Sequence, residues 1–310
     1  CCTFFMKRQI LTHHDFRWLS FPDPGADEID YLKQNYPFHP LNLEDYLGKT
    51  QSPKIDKYRL YTLVVLDIPY FDTQQERITV GEVDFFLGPD YLVCLYDSKL
   101  TALNDVFERC KKNPKTLKNF LGRGPAYLFY RLADLLVDNF FPVLDKISQE
   151  IETIDRDIWR APKKAMVSEI SLQRRNTIVL QTMVKPTLPI FEKLERGDFP
   201  ELNQEMAKLW GNILDHLQKN WEKLEDNREL IEGLAASNES LLSYKTNEIV
   251  KILTMFSTIL LPLTLLASIY GMNIVGLPLA GTPISLIFIL LLMLTVGGGL
   301  FVFFKFKGWV

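Results

Sequence analysis

Between residues 252 and 304 the sequence contains no Asp, Glu, Lys, Arg or His. That gap excludes an ordinary soluble mixture for the last part of the chain, because water-facing helices carry charge on at least one side. Cysteine is scarce: Cys1, Cys2, Cys94 and Cys110 are the four in 310 residues. No CxxC spacing occurs, which excludes a disulfide scaffold and the usual zinc frameworks. Histidine is equally sparse, and His13-His14 stands isolated. No glycine-rich nucleotide loop, no nucleophile triad and no spaced histidine pair is present, so nothing points to an enzyme. Basic residues are not in excess either: 35 Lys and Arg face 38 Asp and Glu, a net charge of −3. This leaves no electrostatic footprint for nucleic acid. The chain does not begin with Met and carries no cleavable signal peptide, so residue 1 reads as a fragment boundary.

What is present explains the gap. One span of a bilayer needs roughly 20 apolar residues. The uncharged stretch fits two spans, 252–270 and 284–304, joined by GMNIVGLPLAGTP, whose Gly and Pro signal a turn. A buried helical hairpin is the alternative, but two such long charge-free runs do not suit a soluble core. Lys245 and Lys251 precede the first span, Lys305 and Lys307 follow the second, and the connection has no positive charge. The positive-inside rule then places both termini in the cytosol, with Tyr270, Phe306 and Trp309 as interfacial anchors. A cytosolic body implies reduced thiols.

Upstream, the first hundred residues read as strands with short helices. RLYTLVVLDIPY (59–70) predicts a strand stopping at Pro69. Residues 78–87 and 91–96 predict an antiparallel hairpin around Gly88-Pro89-Asp90, and 101–112 predicts a helix. From Pro125 the period becomes helical. One helix is expected over 127–160, kinked at Pro142, and a second over about 163–196, with Pro186 and Pro189 inside its later part. The longest runs from Glu201 to Tyr270, with Leu209, Ile213, Leu217, Leu224, Leu234, Leu241 and Ile249 along one side. Its charges, such as Lys223, Glu225, Asp226 and Arg228, read as a solvated face. Three regions follow: an α/β domain over 1–124, a helical region with a stalk helix over 125–251, and a two-span region over 252–310.

Two spans cannot enclose a water-filled path, so a pore would need several copies, each supplying one helix. On the first span Asn247, Val250, Leu253, Ser257, Leu261, Thr264, Ser268 and Gly271 fall on one face at steps of three and four. Their mixture of small, hydroxyl and aliphatic groups suits pore lining and plain helix packing equally well. Pro262 lies within this span and Gly297-Gly298-Gly299 within the second. Gly271-Met272-Asn273 closes the first span, where a helix stop is the simple reading.

These residues carry a resemblance. TNEIVKILTMFSTILLPLTLLASIYGMN is similar to the pore helix of CorA-type magnesium channels. HPLNLEDYLGKTQSPKIDKY, YRLADLLVDNFFPVLDKISQEIETID and the closing KFKGWV resemble other segments of that family, so the likeness spans nearly the whole chain. It implies an α+β cytosolic domain, a long stalk helix and two transmembrane helices in a funnel-shaped homopentamer in the plasma (inner) membrane. Gly271, Met272 and Asn273 would form the selectivity filter, with Asn273 holding the hydrated ion. Thr264 and Ser268 would line the upper pore, Leu253 and Leu261 the apolar gate, and Asn247 the cytosolic end. Ser268 stands where the family often has Gly.

The implied cargo is Mg²⁺, moving passively inward. Mg²⁺ sheds its waters reluctantly, and neutral amide oxygens can hold the hydrated ion loosely enough for release. The resemblance also implies regulation by cytosolic Mg²⁺, for which Asp105 and Asp215 are the candidate ligands; Asn212 and Ala236 stand where stalk acids would be expected. The loop IVGLPLAGTP lacks the acids that follow this tripeptide in many members, and its G-L-P run resembles zinc-transporting relatives. A zinc or other divalent cation transporter is therefore the second reading, and a membrane-anchored scaffold without transport the third.

Overall fold

The computed structural model describes residues 9–48, 51–72, 77–159, 164–202, 206–272 and 283–309. The chain divides into two compact units, Cys1–Ala235 and Ala236–Val310.

The first unit is built on a six-stranded sheet in the order β1-β2-β6-β5-β4-β3. The strands are β1 Gln9–His13, β2 Phe16–Pro22, β3 Lys54–Lys57, β4 Thr62–Asp72, β5 Arg77–Leu87 and β6 Tyr91–Tyr96. Only the β2–β6 pair is parallel. The expected β5–β6 hairpin is present, and its turn closes through Gly88 N–H donating to Tyr91 O at 3.0 Å. A Cβ at Gly88 would lie 2.2 Å from the Tyr91 ring, so this turn has no room for a side chain.

Both faces of the sheet are covered, which is why β6 reads as an unbroken apolar run. On one face Leu19, Phe21, Leu63, Val65, Phe86, Val93 and Leu95 pack under α1 (Ala26–Asn35) and α2 (Pro40–Gly48), whose Ile29, Leu32, Leu43 and Tyr46 point inward. The alternate residues face the helices that follow: α3 Thr101–Lys112, α4 Pro114–Leu121, α5 Pro125–Asp138, α6 Phe140–Ile158 and α7 Lys164–Arg196. Trp18 meets Phe107 edge to face, and Phe85 meets Phe129 in the same way. Phe129 also touches Trp210, whose indole N–H donates to Leu202 O at 3.0 Å. Each such buried aromatic contributes on the order of 2 kcal/mol through area alone.

Three sequence expectations change. β4 does not stop at Pro69: it runs to Asp72, with Pro69 opposite Val80 of β5. This is possible because β3 pairs only as far as Val65, leaving the second half of β4 with one open edge where a missing N–H costs nothing. The helix expected over 127–160 is two helices. The break falls at Asn139, not Pro142, because an unbroken helix would drive the Pro142 ring into the Asp138 carbonyl. Placing Pro142 in the first turn of α6, where N–H groups need no intrahelical partner, removes the clash. The helix expected over about 163–196 is present as α7, Lys164–Arg196, and runs through Pro186 and Pro189.

The third change concerns α8, Ala207–Tyr270, a single 64-residue helix preceded by a 3₁₀ turn at Pro200–Leu202. It starts six residues later than expected. Its buried stripe in the first unit runs through Trp210, Ile213, Leu217, Asn220, Leu224, Asn227, Ile231 and Leu234, while Leu209 is only half-buried. Ile249, expected on the same stripe, is 67% exposed. Alternating steps of four and three drift away from the fixed face that the sequence reading assumed. Nor is the charged face purely solvated: Lys223 pairs with Asp145 of α6, and Glu225 accepts from Gln181 of α7 at 2.7 Å.

In the second unit, α8 passes without interruption through Pro262 to Tyr270, and α9, Pro283–Phe306, follows. Both helices hold a stretch long and apolar enough to cross a membrane, and neither stretch is buried. Lys251 Nζ donates to Gly308 O at 2.9 Å, tying the start of the first span to the end of the second.

Candidate functional site

The two spans cover one another along one stripe each. On α8, Lys251, Met255, Ile259, Pro262, Leu263, Leu266 and Tyr270 are partly covered. On α9 the covered positions are Ile289, Leu292, Met293, Val296, Gly297 and Leu300, together with the buried Phe304. At 100° per residue the α8 set lies about half a turn from Leu253, Ser257, Leu261, Thr264 and Ser268. Those five, with Asn247, Gly271 and Met272, are all exposed. Leu253 is 65% and Leu261 69% exposed, more than any other aliphatic residue of the span except Ile249, just before it. The small and hydroxyl-bearing face of α8 is thus the face that α9 leaves open.

The hydroxyl of Thr264 donates to Leu260 O at 2.8 Å, so its oxygen lone pairs face outward as acceptors. At the end of the span Gly271 N–H donates to Ala267 O at 2.9 Å and Met272 N–H to Ile269 O at 3.4 Å. The helix does stop here, yet Gly271 is not among the residues with a left-handed φ. Space, not backbone freedom, accounts for the glycine: a Cβ would sit 3.1 Å from Ala267 O. Asn273 lies outside the described residues.

Asp105 is exposed on α3, beside Glu108, Arg109 and Lys112, and Asp215 is exposed on α8. Neither belongs to a convergent donor set among the described residues of one chain. Among the described residues that set is Asp134, Asp138 and His216, whose ligand atoms lie within 4.8 Å of one another. His216 Nδ1 is 3.1 Å from Asp138 Oδ1. Burial, reinforced by Asp138, raises the Asp134 carboxyl above its usual range. Two carboxylates and an imidazole suit a borderline cation such as Co²⁺ or Zn²⁺ better than Mg²⁺, which takes oxygen ligands. The sequence reading missed this group. Asp134 and Asp138 share a helix face at a spacing of four, but nothing local brings His216 to them.

The buried thiols offer no chemistry. Burial pushes Cys94 up to about 12 and Cys110 to about 11, so both stay protonated.

Fold and site together define a membrane protein: a mixed α/β body, one long helix entering the bilayer, and a second span behind it. The family described as CorA-like Mg²⁺ transporter protein matches residues 13–307, and the chain belongs to that family of divalent cation transporters. It is similar to the cobalt/magnesium transport protein CorA of Thermotoga maritima, 29% identical over 92% of this chain and 80% of that protein. The putative metal ion transporter YfjQ of Bacillus subtilis is 30% identical over 94% and 89%. The zinc transport protein ZntB of Pectobacterium atrosepticum is 20% identical over 81% and 75%. In fold the chain resembles the complete CorA magnesium transporter structure from Methanocaldococcus jannaschii, with a TM-score of 0.82, 19% identity, and 97% and 93% coverage.

Proposed function

We propose that this protein is a passive Mg²⁺ channel of the plasma (inner) membrane, with both termini cytosolic. Five copies surround one path, and each contributes the open face of α8. Asn247 stands at the cytosolic end, Leu253 and Leu261 form the apolar constriction with Ser257 between them, and Thr264 and Ser268 line the path above it. Gly271, Met272 and Asn273 form the filter at the outer mouth. The observation that carries this reading is the exposure of Leu253 and Leu261, 65% and 69%, on the side of α8 turned away from α9. A helix packed only for its own hairpin would leave no reason for small and hydroxyl-bearing residues to gather on that side.

The apolar rings close the path by dewetting, and the absence of charge throughout the span lets a hydrated divalent cation pass without being trapped. Cytosolic Mg²⁺ regulates the path: Asp105 and Asp215 are the proposed ligands between copies, and Asp134, Asp138 and His216 form a further cation-binding group within each copy.

Zinc transport is the second reading. It is favoured by the likeness to ZntB and by a loop without acids after residue 273. Uptake into vesicles loaded with a Mg²⁺-sensitive dye, with Zn²⁺ as competitor, separates the two. The expected result is Mg²⁺ entry, reduced at least tenfold by Asn273→Ala. Zn²⁺ entry without Mg²⁺ entry would establish the second reading, and no entry of either ion would leave a scaffold.

A further inference from the structure

We propose that the turn closing α9, residues 305–309, is a binding site for the headgroup of an anionic phospholipid. α9 ends in a fully formed left-handed cap. Gly308 has φ +67°, its N–H donates to Lys305 O at 3.1 Å, and Trp309 N–H reaches back to Phe304 O at 3.0 Å. The indole of Trp309 completes the cap by packing on Phe304, ring centres 5.4 Å apart. Lys251 of α8 then locks the turn from outside, with its ammonium on Gly308 O at 2.9 Å and 5.8 Å from the Trp309 ring. The turn is therefore held at both ends.

Its rigid frame presents three side chains. Lys305 and Lys307 are exposed, and no carboxylate of the described residues pairs with either. Phe306, between them, is 90% exposed, the most exposed large apolar residue described in the molecule. In water that ring would be a liability. At the edge of a bilayer it is placed where aromatic side chains prefer to lie.

The position fits. The charge-free run ends at Phe304, so Lys305 is the first charge past the hydrocarbon, and Glu248 is the last acid of the sequence. Two ammonium groups flanking an inserted aromatic ring, on a preformed turn, match a phosphate headgroup with its acyl chains below. A zwitterionic headgroup brings its own cation and gains less. Electrostatic attraction of this kind is worth about fivefold per lysine, or roughly 30-fold for the pair.

Trp309 supplies the probe, and the test does not depend on transport. The protein is reconstituted in vesicles of phosphatidylcholine containing either phosphatidylglycerol or phosphatidylcholine brominated near the headgroup. Subtracting the signal of Trp309→Phe isolates this indole from the other four. Brominated phosphatidylglycerol is expected to quench Trp309 at a roughly 30-fold lower mole fraction than brominated phosphatidylcholine. The preference should vanish in K305Q/K307Q and persist in K305R/K307R. Equal quenching by both lipids, or a preference surviving in K305Q/K307Q, overturns the proposal. So does loss of the preference on adding inorganic phosphate, which would assign the lysines to a free anion.

Discussion

Leu263 of α8 lies against Gly297 of α9, so closely that a Cβ on the glycine would come within 3.4 Å of the Leu263 Cδ1 methyl. This contact fixes which side of each span the other covers, and so which side of α8 is left open. Gly297→Leu is expected to destabilise the hairpin by about 1–3 kcal/mol through overpacking. Gly298→Ala, with open space around it, is expected to be neutral or to gain up to about 1 kcal/mol from helix propensity. Thermal unfolding in detergent measures both; equal losses would mean that the two glycines share one environment.

Leu253→Asn and Leu261→Asn separate a pore residue from a core residue. Truncating or polarising a buried leucine costs about 2–5 kcal/mol. Both side chains are mostly exposed in the single chain, so stability is expected to change by less than about 1 kcal/mol. Cation leak through vesicles at high internal Mg²⁺ is expected to rise several-fold, because a polar ring stays wet. A large fall in melting temperature with no leak would count against the gate.

Stability should depend on pH through the sheet. Burial pushes Asp67 up to about 6, and burial together with the Glu82 carboxyl holds Asp84 well above the usual carboxylate range. A carboxyl whose folded-state value lies above its unfolded value of 3.8 binds more protons when folded. Its contribution is fully present below pH 3.8 and is lost as pH rises through about 6. Asp67→Asn is expected to stabilise the protein by up to about 3 kcal/mol at pH 8 and to do little at pH 4. Melting temperature across that range checks the sign; a gain at pH 4 alone would reverse it.

His216 and Asp138 test the internal cation group. Co²⁺ or Zn²⁺ is expected to raise the melting temperature of the wild-type protein, and EDTA to reverse the gain. His216→Ala and Asp138→Asn should each reduce the apparent affinity by at least about 10-fold, because losing a direct ligand costs no less than losing an outer-shell partner. Because Asp134 holds its proton above the usual carboxylate range, binding should weaken as pH falls. Metal stabilisation unchanged in both variants would remove the group from consideration.

Much of this architecture was legible in one dimension. The β5–β6 hairpin announced itself through Gly88-Pro89-Asp90, and α3 through its apolar spacing. The open face of the first span is readable because residues three and four apart share a helix face over a few turns, whereas from Leu209 to Ile249 the same steps drift off it. Proline misled twice in opposite ways. Pro69 was read as a stop, but its strand has an open edge there, and Pro142 was placed at a kink that falls three residues earlier. The first outcome depends on which strand pairs beside β4, the second on the local clash between a proline ring and the carbonyl four residues before it.

The sequence by itself determined that two helices cross a membrane, since hydrocarbon excludes charge and the gap between Lys251 and Lys305 is a property of composition alone. It also determined which residues share a face of α8. Only the tertiary structure decided which face is covered, because that depends on where Gly297 meets Leu263. Only the tertiary structure brought His216 to Asp138, 78 positions away, because helices α5 and α8 are placed by packing between segments far apart in sequence, the aromatic core around Phe129 and Trp210 among them.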